Sequence, residues 1–223
     1  MIRRPPRSTP SNSSAASDVY KRQDKGLSFS LRDMIEKSIK LFGIKGAKKI
    51  REIADKVNTF LYNRMTHQLA EEGFSKDVIA AVTSVSVDNV PNVWNRVQAL
   101  QDLKTAPDFE PLAVAFKRIV NIIKKAKAFK ATSVNESLFQ HDSESVLYSD
   151  YKKVEKKVSD SLDKGDLAQA LHEIASLRDA VDAFFDGVLV MAKETKIRRN
   201  RLCLLKHIAD LFGTIADFSK IST

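Results

Sequence analysis

The sequence predicts an all-α fold, a helical bundle of about seven to eight helices that follows a disordered amino-terminal extension. From Leu27 onward glycine and proline are sparse, and apolar residues recur at the 3.6-residue spacing of helices. No stretch shows the sustained alternation of β-branched and polar residues that a half-buried strand requires. A chain of 223 residues is long enough to bury roughly 70% of its unfolded surface, so its core needs no disulfide or metal.

Residues 1–23 form the predicted extension. They are rich in serine, proline and arginine and contain no apolar run, a composition typical of disorder. The segment SSAASDVYKRQ also looks like a translated sequencing adaptor, so we expect this stretch to be non-native. It has five basic residues and one acidic residue, and therefore accounts for +4 of the net charge of +9 and leaves +5 for the rest.

Residues 24–106 are predicted to be a helical connecting segment. Apolar stripes predict helices over 30–41 and 47–72, which end at Gly43 and Gly73. The Ser75 hydroxyl is predicted to cap a short helix that runs to Val82, and Pro91 opens another helix that runs to Leu103.

Residues 107–223 are predicted to be a second helical domain. Pro111 suits the first position of a helix, where its missing N–H has no partner to lose, and that helix continues to about residue 130. A polar stretch near 133–145 precedes helices at about 146–162, 166–187 and 195–213. The stop signal at Asp163–Gly165 followed by Asp166 predicts an antiparallel hairpin between the first two.

The helix over 112–125 has the clearest two-faced pattern. Leu112, Phe116 and Ile119 share one side with Val120 and Ile123, and the other side is polar and mainly basic. Residues 111–130 contain six basic residues and no acidic one. The pattern alone favours an ordinary solvated face about as much as a phosphate-binding one. A surface kept soluble by charge usually mixes both signs, so the absence of acidic residues favours the phosphate-binding interpretation. The candidate nucleic-acid-binding residues here are Lys117, Arg118, Asn121, Lys124 and Lys125.

Residues 193–206 form a second basic cluster, with six basic residues against Glu194. Two such clusters in a chain that is otherwise nearly neutral indicate a surface for nucleic acid rather than diffuse basicity. The candidate nucleic-acid-binding residues here are Arg198, Arg199, Asn200 and Lys206. Arg198 and Asn200 flank the apolar face of the helix predicted over 195–213. A functional interpretation therefore places both side chains at an exposed groove, where they could contact a base edge.

Arg201 falls inside the apolar face of its own helix. A buried guanidinium must be paired, and Asp182 and Asp186 lie four residues apart on the preceding predicted helix. We therefore expect Arg201 to form a structural ion pair with Asp182 and Asp186 and to position the last helix.

The sequence offers no catalytic constellation. The four histidines are scattered, the His141-Asp142 dipeptide lacks further ligands, and there is no glycine-rich phosphate loop or nucleophile elbow. We expect no catalytic residue and no metal site, and we expect the single tryptophan, Trp94, to belong to the core rather than to stack on a base. One cysteine, Cys203, and the lack of any apolar run near 20 residues predict a soluble cytoplasmic protein without a membrane span.

Three segments carry a family resemblance: NTFLYNR (58–64), FKRIVNI (116–122) and the run from SLRDAVDAFFDGVLV to DFSKI (176–221). In order and spacing they closely resemble the carboxyl-terminal part of the beta subunit of the two-subunit bacterial glycyl-tRNA synthetase, and the resemblance covers nearly everything after Gln23. It implies that 107–223 is an anticodon-binding helical domain of the DALR type. Lys117, Arg118 and Asn121 match the family's KR…N element, and Arg198, Asn200 and Arg201 match its R.NRL element.

The resemblance also implies partners and a reaction. In that family the complete enzyme joins glycine to its tRNA at the expense of ATP, mainly on the alpha subunit, while the beta subunit holds the tRNA. This chain lacks the family's large amino-terminal part, so we expect it to bind glycine tRNA and the alpha subunit without aminoacylating and to hold no cofactor itself. Two alternatives stay open: a helical module that docks an acidic protein, and the anticodon-binding domain of another synthetase such as the arginine enzyme.

Overall fold

The computed structural model of the chain describes residues 30–107, 109–126 and 133–222. Within these ranges the regular structure is helical and contains no strand, which confirms the all-α prediction. No helix in the described ranges is long and apolar enough to cross a membrane. The predicted extension, residues 1–23, lies outside the described residues.

The chain divides into two compact units. The first contains residues 30–73 and Val87–Trp94, with helices α1 (Leu31–Leu41) and α2 (Ala47–Glu71). The Ser30 side chain caps α1 by accepting a hydrogen bond from the Asp33 N–H at 3.0 Å. Trp94 is buried, as predicted, and its indole N–H donates to Glu72 at 2.9 Å.

The second unit contains Phe74–Ser86 and residues 95–222. The helices of this part of the chain are α3 (Lys76–Thr83), α4 (Val90–Lys104, whose first turn belongs to the first unit), α5 (Phe109–Lys125), α6 (Asp142–Asp163), α7 (Leu167–Ala175), α8 (Arg178–Gly187) and α9 (Thr195–Gly213), with 3₁₀ turns at Glu136–Leu138 and Phe218–Lys220. The predicted domain boundary between residues 106 and 107 stays a prediction.

An aromatic cluster lies at the centre of this second unit. The Phe116 ring stacks on the Phe212 ring with 4.5 Å between centroids, and it meets the edge of Phe218 at 5.4 Å. All three side chains are fully buried. The apolar side of α5 is thus fixed against α9 and the second 3₁₀ turn, which leaves its basic side outward.

The last residues are tied to α3. The Asp217 N–H donates to the Ala81 carbonyl at 2.9 Å, and the Ser222 N–H donates to the Asp77 carboxylate at 2.7 Å. Burial would raise the pKa of Asp77, but hydrogen bonds from Lys104, Ser222 and Ser75 lower it to about 2. Its carboxylate therefore stays charged at neutral pH and fastens the end of the chain.

Four local predictions differ from the structure. Helix α5 begins at Phe109, so Pro111 lies within its first turn and not at its first position. The helix predicted over 166–187 is two helices, because the Ser176 hydroxyl bonds to the Glu173 carbonyl at 2.6 Å and the Leu177 N–H bonds to Ile174 in a tighter turn. The Ser75 hydroxyl donates to the Gln101 side chain at 2.8 Å instead of capping α3. Helix α6 begins at Asp142, four residues earlier than predicted, for a reason given below.

Candidate nucleic-acid interface

The basic face of α5 follows from the helix's amphipathic pattern. Its apolar side is buried, with Leu112 3% exposed and Phe116 and Ile119 fully covered. The predicted RNA-binding residues lie on the other side: Arg118, Asn121, Lys124 and Lys125 are exposed and Lys117 is half-buried. The structure thus brings the predicted residues of this helix to one outward face.

Two cations of the α5 face have contacts within the protein. The Arg118 guanidinium lies over the ring of Phe185, 3.9 Å from its centroid, in a cation–π arrangement. The Lys124 ammonium donates to the Ser219 hydroxyl at 2.8 Å and lies 3.9 Å from the Asp217 carboxylate. These contacts orient both side chains, and both residues remain exposed.

Arg201 is buried, as its place in the apolar face predicts, and it is 7% exposed. Its Nε donates to Glu144 Oε1 at 3.0 Å and its Nη2 donates to Glu144 Oε2 at 3.2 Å. The remaining nitrogen, Nη1, donates to the Leu189 carbonyl at 3.0 Å. This bidentate ion pair joins α9 to the start of α6, and the third bond holds the loop after α8.

The predicted partners of Arg201 were wrong. Asp182 lies 3.5 Å from Arg178 on its own helix α8, and Asp186 is exposed. Glu144 was missed because it lies in a stretch that reads as a polar loop. One signal could have found it: Glu144 precedes Leu147 and Tyr151 by three and seven residues, so it occupies a core position of α6.

Glu144 has a second role at the start of α6. Its carboxylate accepts hydrogen bonds from the Gln140 N–H at 2.8 Å and the His141 N–H at 3.1 Å, while the His141 ring accepts from the Ser143 N–H at 3.2 Å. This capping box explains why α6 begins early. Burial alone would raise the pKa of Glu144, but Arg201 and these backbone bonds hold it below its usual range.

Asn200 is buried rather than exposed at a groove, so that prediction was wrong. Its Oδ1 accepts from the Asn135 N–H at 2.8 Å and its Nδ2 donates to the Asn135 carbonyl at 2.9 Å. The side chain is satisfied by the backbone of one residue, and only 5% of the residue is exposed. Asn200 therefore fixes the 133–138 segment against α9.

The other cations of the second cluster differ in their surroundings. The Arg198 guanidinium is half-buried and donates to the Ala192 carbonyl at 3.0 Å and to the Thr195 hydroxyl at 3.3 Å. Lys206 is half-buried and pairs with Asp210 one turn later. Arg199 is exposed. Of the four residues predicted to bind RNA in this cluster, Arg199 presents the most open charge.

The described part of the chain contains no group of three or more His, Cys, Asp or Glu residues that could hold a metal ion. His141, in the dipeptide considered above, instead caps α6. This unit is a helical scaffold with outward cations, which can bind a polyanion by charge and by hydrogen bonds to its phosphates.

A family model identifies the domain family of this helical unit. The model of the DALR anticodon binding domain matches residues 112–223, the part that contains both basic clusters. The chain belongs to the DALR anticodon-binding family. The match starts within α5 and includes α6 to α9, so the buried ion pair, the Asn200 contacts and both basic faces lie inside the DALR region.

Relatives agree with this assignment. The chain is 49% identical over 204 residues to a protein of Desulfatibacillum aliphaticivorans named glycine–tRNA ligase beta subunit, an alignment that covers 90% of this chain and 29% of the relative. Proteins of the same name from Desulforapulum autotrophicum and Citrifermentans bemidjiense are 42% and 40% identical, with 88% and 89% of this chain and 28% of each relative covered. The chain therefore spans less than a third of the length of these relatives.

Proposed function

We propose that this chain binds the anticodon arm of glycine tRNA as part of the beta subunit of a glycine–tRNA ligase. The observation that carries the proposal is the placement of two sets of outward cations on one DALR anticodon-binding unit. Relatives named for the beta subunit of that ligase support the choice of glycine tRNA.

In the proposed binding mode, the basic side chains position the RNA through its phosphates. Lys117, Arg118, Lys124 and Lys125 on α5, with Arg199 on α9, contact phosphates of the arm. Cations that reach solvent favour such contacts, because binding them to a polyanion releases counterions. Phosphate contacts orient the RNA without reading its sequence. The second unit is held rigid beneath them by the aromatic cluster and by the Glu144–Arg201 pair.

The proposal includes the partners of the complete enzyme. The relatives' name implies an alpha subunit, which we propose as the second macromolecular partner of this chain, in the cytoplasm where translation takes place. The complete enzyme would use ATP to activate glycine. This chain would supply binding rather than chemistry, and we propose neither a catalytic residue nor a cofactor for it.

The test is a comparison of two RNAs across a salt series. The full chain is titrated with glycine tRNA and with the same tRNA whose anticodon has been replaced, and the dissociation constant is measured at each salt concentration. A preference for the native anticodon that persists as salt rises is expected, since base contacts depend less on counterion release than phosphate contacts do. Equal, salt-sensitive binding of both tRNAs would overturn anticodon recognition, and absence of binding would overturn the RNA function itself.

A further inference from the structure

The amino-terminal half of α2 exposes apolar side chains that form a regular helical stripe. The stripe, called the α2 patch from here on, consists of Ile50, Ile53, Val57 and Phe60, which share one side of the helix. Val57 is 36% exposed and Phe60 is 49% exposed, while Ile50 and Ile53 are only partly covered. The described part of the chain therefore leaves this side of α2 largely open.

The carboxyl-terminal half of the same helix is packed as its pattern predicts. Leu61 is 8% exposed there, and Met65 and Leu69 are fully covered. At the other end, Leu41 and Phe42, which precede α2 by a short turn, are 87% and 83% exposed. Soluble chains seldom leave such apolar surface open, and when they do it usually marks a contact with another molecule or domain.

The charges around the α2 patch have mainly one sign. Residues 37–56 contain seven basic residues, all of them exposed, and only two acidic ones, Glu52 and Asp55. An apolar stripe among cations is complementary to an amphipathic helix whose apolar side is bordered by carboxylates. A nucleic acid would use the cations, but branched aliphatic side chains such as Ile50 and Val57 give its bases no flat surface for stacking.

The length of the relatives indicates the source of such a helix. More than two thirds of each relative described above has no counterpart in this chain. The aligned part is the carboxyl-terminal part of those proteins, so their remainder precedes it. Helices α1 and α2 are the first that the structure describes, and they are therefore the nearest of its helices, along the chain, to that remainder.

We propose that the α2 patch is a docking surface for the amino-terminal part of a longer beta subunit, which contacts it through an apolar helix bordered by acidic residues. The proposal rests on one element of the proposed function, namely that this chain corresponds to a piece of a beta subunit. It does not depend on RNA binding.

Thiol labelling measures whether the patch is covered. The chain has a single cysteine, Cys203, which is 1% exposed, so a cysteine introduced by Val57→Cys is the main thiol that a maleimide can reach. Thr59→Cys is the matched control, because Thr59 is exposed and lies on the opposite side of α2. Both variants of the full chain are labelled first on their own.

The same two variants are then labelled in a joined protein that contains the proposed occupant. In it, this chain replaces the aligned part of the Desulfatibacillum protein, to which it is 49% identical. We expect the labelling rate of Val57→Cys to fall at least about 10-fold, since a covered thiol reacts only after local opening, and that of Thr59→Cys to change by less than about 2-fold. Equal rates for Val57→Cys with and without the remainder would overturn the proposal.

Two other occupants give different results. Labelling of Val57→Cys that is slow in the chain alone and becomes faster on dilution would assign the patch to a second copy of this chain. Protection of the joined protein that appears only when the alpha subunit is added would assign it to that subunit. Either outcome contradicts docking by the amino-terminal part of the beta subunit.

Hydrogen exchange provides a measurement that needs neither a substitution nor a joined protein. Amides of residues 47–60 in the chain alone are compared with those of the matching helix in the intact Desulfatibacillum protein, after correction for sequence. We expect slower exchange in the intact protein, because a docked helix opens less often, and equal exchange would count against the proposal. Neither experiment contains RNA, so the tRNA titration decides the proposed RNA binding independently.

Discussion

The basic face of α5 and the basic cluster of α9 look alike in the sequence and differ in the structure. On α5 the cations sit opposite a buried apolar side, and Arg118, Lys124 and Lys125 are exposed. On α9 the strongly basic motif is divided: Arg201 is bonded to Glu144 inside the unit, while Arg199 faces outward. Charge density along a chain therefore indicates where a polyanion could bind, but it does not separate the cations that bind it from those that stabilise the fold.

Loss of the buried pair is the change with the largest expected effect. Arg201→Leu leaves the Glu144 carboxylate buried without its counterion, which costs about 3–5 kcal/mol of unfolding free energy. Urea unfolding followed by circular dichroism measures it. Arg199→Leu, on the same helix but exposed, is the control and is expected to change stability by less than about 0.5 kcal/mol. Similar losses in the two variants would erase the distinction between the buried and the exposed arginine.

Neutralisation of the α5 face is expected to change the salt dependence of RNA binding. Changing Lys117, Arg118, Lys124 and Lys125 to Gln should reduce the slope of log affinity against log salt by roughly 3 for glycine tRNA, because each lost phosphate contact removes about 0.7–0.9 from it. Filter binding across a salt series measures the slope.

Helix α6 offers a control of equal charge for that experiment. Four exposed lysines lie there: Lys152, Lys153, Lys156 and Lys157. Three of them pair with carboxylates, as in the 2.8 Å contact between Lys152 and Glu155. Changing these four to Gln is expected to leave the slope nearly unaltered. Equal slopes for the two quadruple variants would mean that net charge, and not the α5 face, controls binding.

The pH dependence of stability tests the role of the buried Glu144–Arg201 pair of α6 and α9. The pKa of Glu144 is lowered in the folded protein, so its contribution is present above the unfolded pKa of about 4.3 and is lost as pH falls through the folded value. The double variant Glu144→Leu/Arg201→Met should therefore lose less stability than the wild-type chain between pH 6 and pH 3. Parallel curves for the two proteins would contradict a role for this carboxylate in acid sensitivity.

The smallest expected effect concerns the two asparagines. Asn200→Ala removes both hydrogen bonds to the Asn135 backbone and should cost about 1 kcal/mol, since water can replace part of what is lost. Asn121→Ala, at an exposed position on α5, should be neutral within about 0.5 kcal/mol. Thermal unfolding compares them, and a larger loss for Asn121 would reverse the assignment of structural and surface roles.

Local patterns predicted much of this molecule. The apolar stripe of α5 placed its basic side outward, and the interruption of the α9 stripe by Arg201 correctly indicated a buried, paired guanidinium. Local rules could not identify Glu144, because the two residues are 57 positions apart and only tertiary packing brings them together. The same limit applies to Asn200, whose flanking position on α9 suggested exposure until the 133–138 segment covered it.

The double role of Glu144 has a consequence for exchanging parts between related chains. Glu144 Oε2 caps α6, and both oxygens of the same carboxylate neutralise Arg201. The residues at positions 144 and 201 therefore depend on each other, although two helices separate them. A chimera that takes α9 from a relative with an uncharged residue at position 201 would leave the Glu144 carboxylate buried at the start of α6 without its counterion. Such a graft is expected to keep the stability of the parent chain only if both positions are transferred together.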